Sequence, residues 1–357
     1  MKVALLTAKA NNDALVDGHK FATDEKRTPT GIGYLYSVLR KNGIIPEVYD
    51  RYCNGDLWEQ RNFKEYDFVG IYCASVCIDD VFSIIDKIEA KIIAVGGPHA
   101  FLYPESFSKK VTHIVRGEAE NIISPLVSGE FSERIITTDR LDNDQLNSLP
   151  RYPYEIFINK NIYTWTSPFG GASPVVVVNS SRGCPFNCSF CSVKKIWGRR
   201  YTYFSSDRVL DDLLYVKSLG GRSIYFREDN FTCKTDRIVE ICEGMLNANI
   251  NMEWMCESRV DTVDMETMKL MKRAGCIGFY VGVEHLSQKM LDVFNKGVTV
   301  DQILTFFDRA NSLGIKTAAS LIKGHPEESS EDLTIQRTLL PRLRPTMMWF
   351  NQFRSEG

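Results

Sequence analysis

Short apolar runs alternate with longer amphipathic stretches along almost the whole chain, and few folds other than a parallel α/β sheet accommodate that alternation. In the first half, Val3–Thr7, Pro46–Asp50, Phe68–Tyr72, Ile92–Gly96 and His113–Val115 have the near-continuous hydrophobicity of strands covered on both faces. Helical patterns over Gly33–Lys41, Ile78–Ala90 and Glu120–Val127 lie between them. This predicts an α/β, doubly wound (Rossmann-like) domain over residues 1–140, with ligands at the C-terminal ends of its strands. Residues 141–174 turn to Pro, Gly, Asn and aromatics and are expected to link this domain to the next. From 175 to 357 the alternation repeats, with strands expected at 175–180, 223–227, 251–256, 276–283, 316–322 and 346–350. Helices are expected near 207–219, 235–248, 262–274, 287–294, 300–313 and 331–340. Such units predict a partial (βα)6 barrel.

The 357 residues carry 43 Lys and Arg against 45 Asp and Glu, a formal charge of −2, so no global basic field exists to hold a nucleic-acid backbone. The amino terminus lacks the apolar core and small-residue cleavage site of an export signal. The longest aliphatic run, Val175–Val178, is far too short to span a bilayer. The expectation is a cytoplasmic protein without membrane attachment or general nucleic-acid binding. Its ten cysteines are then expected as thiols rather than disulfides. Cys53, Cys73, Cys77, Cys233, Cys242, Cys256 and Cys276 are scattered and expected as small buried hydrophobes.

The other three are clustered. Ser181-Arg-Gly-Cys184-Pro-Phe-Asn-Cys188-Ser-Phe-Cys191 places three thiols within eight residues, after the first strand of the second half. Three thiolates ligate one metal centre and leave a position open. A structural zinc site wants a fourth protein ligand, and no His or Cys follows within forty residues of Cys191. A cubane iron–sulfur cluster on three cysteines leaves one iron free. The CxxxCxxC spacing, with the aromatic Phe190 before the last Cys, resembles the signature of the radical S-adenosylmethionine (SAM) superfamily. That resemblance implies a 4Fe-4S cluster on Cys184, Cys188 and Cys191 that cleaves SAM to a 5′-deoxyadenosyl radical, which abstracts hydrogen from substrate. It also implies a small-molecule substrate and an external one-electron reductant of the flavodoxin or ferredoxin type.

Further positions fit the resemblance. Phe226-Arg-Glu-Asp-Asn-Phe231 ends the second barrel strand, where the family holds the methionine amino group with a carboxylate, here Glu228 or Asp229; capping of the next helix is the alternative. Arg259 ends the third strand and would pair the methionine carboxylate, or form a plain surface ion pair. Glu284 ends the fourth and would reach the ribose hydroxyls. Ile322-Lys-Gly324-His-Pro-Glu327 resembles the family's IxGxxE adenine motif, which makes Ile322 and Gly324 candidates, with Phe190, for the SAM site. No residue is singled out as a catalytic acid or base. His285 and His325 are expected to be structural.

The first half resembles the cobalamin-binding domain that precedes the barrel in one radical SAM class. Arg27-Thr-Pro-Thr-Gly31, Gly96-Gly-Pro-His99 and Gly117-Glu-Ala-Glu120 carry the likeness, which implies cobalamin contacts from Gly96, Gly97, Gly117 and Glu118. No GxGxxG follows the first strand, which weakens a plain nucleotide site. Asp50-Arg-Tyr-Cys-Asn-Gly55 stands where cobalt-ligating relatives have DxHxxG, with Tyr52 in place of the His, so ligation of cobalt from below is not expected. Ser75 stands at the tail-binding position. The resemblance implies cobalamin-dependent methylation of an unactivated carbon. The alternatives are a radical rearrangement, cyclisation or cleavage without cobalamin, or a non-catalytic iron–sulfur or metal-binding module. A methylthiotransferase is disfavoured, because Cys53, Cys73 and Cys77 do not form a second triad.

Overall fold

The computed structural model describes residues 1–9, 15–16, 19–20, 30–51, 57–158 and 167–354. Arg27, Tyr52, Cys53, Tyr163 and Trp165 lie outside the described residues. The chain divides into two compact units, Met1–Thr164 and Trp165–Gly357.

The first unit is built on six parallel strands: β1 (Val3–Thr7), β2 (Glu47–Asp50), β3 (Phe68–Tyr72), β4 (Ile92–Gly96), β5 (His113–Arg116) and β6 (Ile135–Thr137), in the order β2-β1-β3-β4-β5-β6. Successive side chains of a strand point to opposite faces, so Val3 and Leu5 join one apolar cluster and Ala4 and Leu6 the other. Helix α1 (Thr30–Lys41) covers the first face through Ile32 and Leu39; α2 (Ile78–Lys87) covers the second through Val81, Ile84 and Ile85. The strand order reverses between β1 and β3, which is the switch point where doubly wound sheets bind ligands. Strand β6 is not among the expected strands: three residues with Ile135 and Thr137 exposed are too short to show a period.

The second unit carries β7 (Val175–Val178), β8 (Ser223–Phe226), β9 (Glu253–Ser258), β10 (Cys276–Glu284), β11 (Lys316–Lys323) and β12 (Met347–Gln352). They form one parallel sheet in sequence order, and among the described residues β7 and β12 do not pair, which leaves the barrel partial. Helices Ser206–Ser218, Thr235–Asn247, Met265–Arg273, Gln288–Val293, Val300–Ser312 and Ser330–Leu343 alternate with them. Val175, Val177, Tyr225, Met255, Tyr280 and Ala318 pack with Phe169 into one apolar cluster.

The segment expected as a linker, 141–174, contains the division between the units, and both of its described ends are packed. Leu146, Tyr152, Tyr154 and Phe157 are buried in the first unit, where the Ser37 hydroxyl donates to the Arg151 carbonyl at 2.7 Å. On the other side, Lys316 donates to the Phe169 carbonyl.

Gly33 in α1 lies against the Tyr152 ring, and a Cβ there would fall 2.1 Å from it. Tyr152 is wedged among Tyr34, Tyr154 and Phe157 and has nowhere to move. Gly33→Ala is therefore expected to destabilise the first unit by ~1–3 kcal/mol, despite alanine's better helix propensity, as a lower urea midpoint in far-UV circular dichroism.

Candidate active site

A loop rich in Gly, Pro and Asn does not hold three thiols in place by its own backbone, and here neighbouring elements do so. Ser181–Arg182 pairs antiparallel with Thr202–Tyr203, closing the base of the loop. Beneath it, Glu228 is buried at the end of β8 and accepts from the Ser180 amide, from the Ser180 hydroxyl at 2.5 Å and from the Ser181 hydroxyl. Arg237, also buried, donates to the Ser180 carbonyl at 2.8 Å and to the Phe204 carbonyl at 3.3 Å. Burial pushes the Glu228 carboxyl above the ordinary range, against the pull of Arg237 and the serine donors. Asp229 accepts from the Gly183 amide at 2.9 Å, next to Cys184.

The far side of the loop is tied to residues 293–296. The Ser189 amide donates to the Phe294 carbonyl at 2.8 Å and its hydroxyl to the Val293 carbonyl, while Asn295 donates to the Asn187 carbonyl. Phe190 packs edge-on against Phe294, in one apolar cluster with Ile322. Cys188 is buried, whereas Cys184 and Cys191 are half-buried. Burial raises the Cys184 and Cys191 thiols, the latter to about 11, so a metal must displace their protons on binding. Cys233 is not the fully buried residue expected: it is half-buried, and burial, with the neighbouring Cys184 thiol, raises its own thiol.

Arg259 faces the loop from the end of β9. It chelates Asp261 at 2.9 and 3.0 Å, donates to the Lys296 carbonyl at 2.8 Å, lies 3.7 Å over the Phe186 ring, and aims Nη1 at the Cys188 sulfur, 3.6 Å away.

Glu284 follows a register shift between β10 and β11 and sits at φ +66°, a conformation L-residues rarely adopt. The bulge re-aims its carboxylate at Lys296, with Oε1 and Nζ 2.8 Å apart and both side chains buried. A Cβ at Gly282 would lie 2.4 Å from that carboxylate. Gly324 has a positive φ of 78° and donates its amide to Glu328 at 2.7 Å. Glu328 also meets His285 at 3.1 Å. Glu327, the last residue of the motif, is exposed. His285 and His325 hold backbone: each Nδ1 accepts an amide, from Ser287 and Glu327 respectively.

In the first unit, Ser75 and His99 join at 3.0 Å beyond β3 and β4. Beside them Tyr72 and Val76 are 36% and 57% exposed, an apolar ledge at the strand ends. A Cβ at Gly96 would meet nothing closer than 3.9 Å, so that position is open. At Gly97 it would strike the Cys73 carbonyl at 2.7 Å, and at Gly117 the Thr138 hydroxyl at 2.3 Å. Those two glycines make room for the chain itself. Glu118 is buried and accepts from the Leu141 amide at 2.6 Å. Asp50 accepts from the Thr7 hydroxyl at 2.9 Å.

The donor sets fit the expected groups unevenly. Three thiols on one tethered loop suit an iron–sulfur cluster, although among the described residues no three such ligands converge on a single-ion position. The exposed ledge and the polar Ser75–His99 pair suit a large ligand at the first sheet, with Gly96 as the open approach.

Replacing Glu228 by Ala would strand the Ser180 amide and two hydroxyls beside a buried guanidinium. At ~1–3 kcal/mol for a buried group left unsatisfied, Glu228→Ala is expected to lower the urea midpoint of the second unit and reduce iron uptake on reconstitution. Glu228→Gln should do both to a smaller degree.

Residues 178–337 match the Radical SAM superfamily. The chain is 28% identical over 333 residues to an uncharacterized methyltransferase of Pyrococcus horikoshii, covering 85% of this chain and 71% of that protein. It is 27% identical over 341 residues to the anaerobic magnesium-protoporphyrin IX monomethyl ester cyclase of Cereibacter sphaeroides, covering 85% of this chain and 55% of that one. In fold it is similar to the radical SAM methyltransferase TsrM of Kitasatospora setae, solved with cobalamin and a [4Fe-4S] cluster, at a TM-score of 0.77 and 18% identity over 99% of this chain and 75% of that one. Among the described residues no helix is long and apolar enough to cross a membrane. Residues 178–337, in the second unit, belong to the Radical SAM superfamily, and an N-terminal α/β unit precedes them.

Proposed function

We propose that this enzyme methylates an unactivated carbon of a small molecule in a cobalamin-dependent reaction, in the reducing cytoplasm. The observation that carries the reading is the order of the two sheets: a doubly wound β2-β1-β3-β4-β5-β6 sheet with an exposed ledge at its strand ends precedes the thiol loop. The fold likeness to a cobalamin-containing methyltransferase and the relative named a methyltransferase support it.

In this reading Cys184, Cys188 and Cys191 hold the 4Fe-4S cluster. When bound and reduced by an external donor, the cluster supplies the electron that cleaves SAM to methionine and a 5′-deoxyadenosyl radical. Asp229 takes the methionine amino group, because a carboxylate beside the thiol loop is the natural partner of an ammonium. Glu228 is a positioning residue, its oxygens engaged by Ser180 and Ser181. Glu284 takes the ribose hydroxyls. Ile322 and Gly324 line the adenine side, with Phe190 as an apolar wall. Cobalamin, when bound, supplies the methyl group. Ser75, Gly96 and the Tyr72–Val76 ledge hold it, while Gly97, Gly117 and Glu118 shape the strand ends from within.

A second reading is a radical ring closure without methyl transfer, favoured by the likeness to the anaerobic cyclase. Anaerobic reconstitution with iron and sulfide, addition of hydroxocobalamin and desalting separate the two. The methylase reading expects a stoichiometric corrin band beside the cluster absorbance. Cluster absorbance without retained corrin overturns it in favour of radical chemistry without methyl transfer.

A further inference from the structure

The Arg259 guanidinium is held more firmly than a ligand-seeking arginine needs to be. Nε and Nη2 chelate Asp261, Nη2 also reaches the Lys296 carbonyl, and the plane rests on Phe186. Those contacts use the rigid fork that distinguishes Arg from Lys, and they fix where Nη1 points: at the Cys188 sulfur, 3.6 Å away, with both residues buried. Asp229 is engaged by the Gly183 amide, and Lys296 is paired with Glu284.

We propose that Arg259 tunes the reduction potential of the cluster through Cys188, with Asp261 setting how much of its charge the sulfur feels. The inference rests on the assignment of Cys184, Cys188 and Cys191 as ligands. The electrostatics run in one direction. Reduction adds one electron to the cluster from the external donor, with no proton taken up and no bond made or broken, so the reduced form carries one more negative charge. A cation and an N–H donor at a ligating sulfur stabilise that form and raise the potential. Asp261 opposes them. Removing Arg259 should therefore lower the potential, and neutralising Asp261 should raise it. Scaffolding alone does not produce opposite signs from two members of one ion pair.

The test is a dithionite titration of the reconstituted protein, without SAM, followed by electron paramagnetic resonance. At a fixed solution potential, Arg259→Gln is expected to lower the reduced-to-oxidised ratio about tenfold, equivalent to ~59 mV for a one-electron couple. Arg259→Lys, which keeps charge but loses the fork, should fall between, and Asp261→Asn should shift the ratio upward. If Arg259→Gln fails to assemble a cluster, Arg259→Lys and Asp261→Asn decide the question. Unchanged potentials, or a downward shift in Asp261→Asn, overturn the proposal. An unchanged potential with weakened SAM binding overturns it too and makes Arg259 a carboxylate ligand. Absence of any cluster in the wild-type protein overturns the ligand assignment beneath it.

Discussion

The second unit depends on how an irregular, thiol-bearing loop is held still. Sheet pairing contributes only two residues on each side, Ser181–Arg182 with Thr202–Tyr203. Buried charge does the rest: Glu228 and Arg237 meet at Ser180, one taking its amide and hydroxyl, the other its carbonyl. Burying ionised groups is costly unless each finds partners. The arrangement therefore specifies one position for the segment that enters the loop, because any shift of Ser180 strands two buried charges at once.

The opposite side of the loop uses backbone instead. Carbonyls of Val293, Phe294 and Lys296, with the Asn295 amide, contact Ser189, Asn187 and Arg259. The same short segment ends in the Lys296 ammonium that holds Glu284. Residues 293–296 thus join the expected cluster loop to the expected ribose carboxylate. The bulge that puts Glu284 at φ +66° costs on the order of 1–3 kcal/mol, and it brings the carboxylate to the Lys296 ammonium.

Much of this architecture was legible in the sequence. Strands buried on both faces announce themselves as apolar runs, and all eleven expected strands are present within a few residues. The parts that were not legible are those without a period. Strand β6 and the Ser181–Arg182 hairpin are too short, and the latter is specified by Glu228 and Arg237, distant in sequence. The thiols were legible through their spacing together with their place after the first barrel strand and the family resemblance, whereas Arg237 and Asp261 carry no motif and gain meaning only from their contacts. The Glu328 carboxylate, which accepts the Gly324 amide, likewise carried no signal of its own in the sequence. In the first unit, the need for glycine at 97 and 117 comes from the chain's own Cys73 carbonyl and Thr138 hydroxyl, which are distant in sequence and carry no local signal.

The three-thiol loop is expected to support reductive cleavage of SAM. The direct measurement is chromatographic detection of 5′-deoxyadenosine after anaerobic reconstitution and incubation with SAM and dithionite, for the wild-type protein and Cys188→Ala. The wild type is expected to yield 5′-deoxyadenosine and the variant none, with the variant's cluster absorbance lost in parallel. Undiminished production by Cys188→Ala, or none from a wild-type protein that holds its cluster, would contradict it.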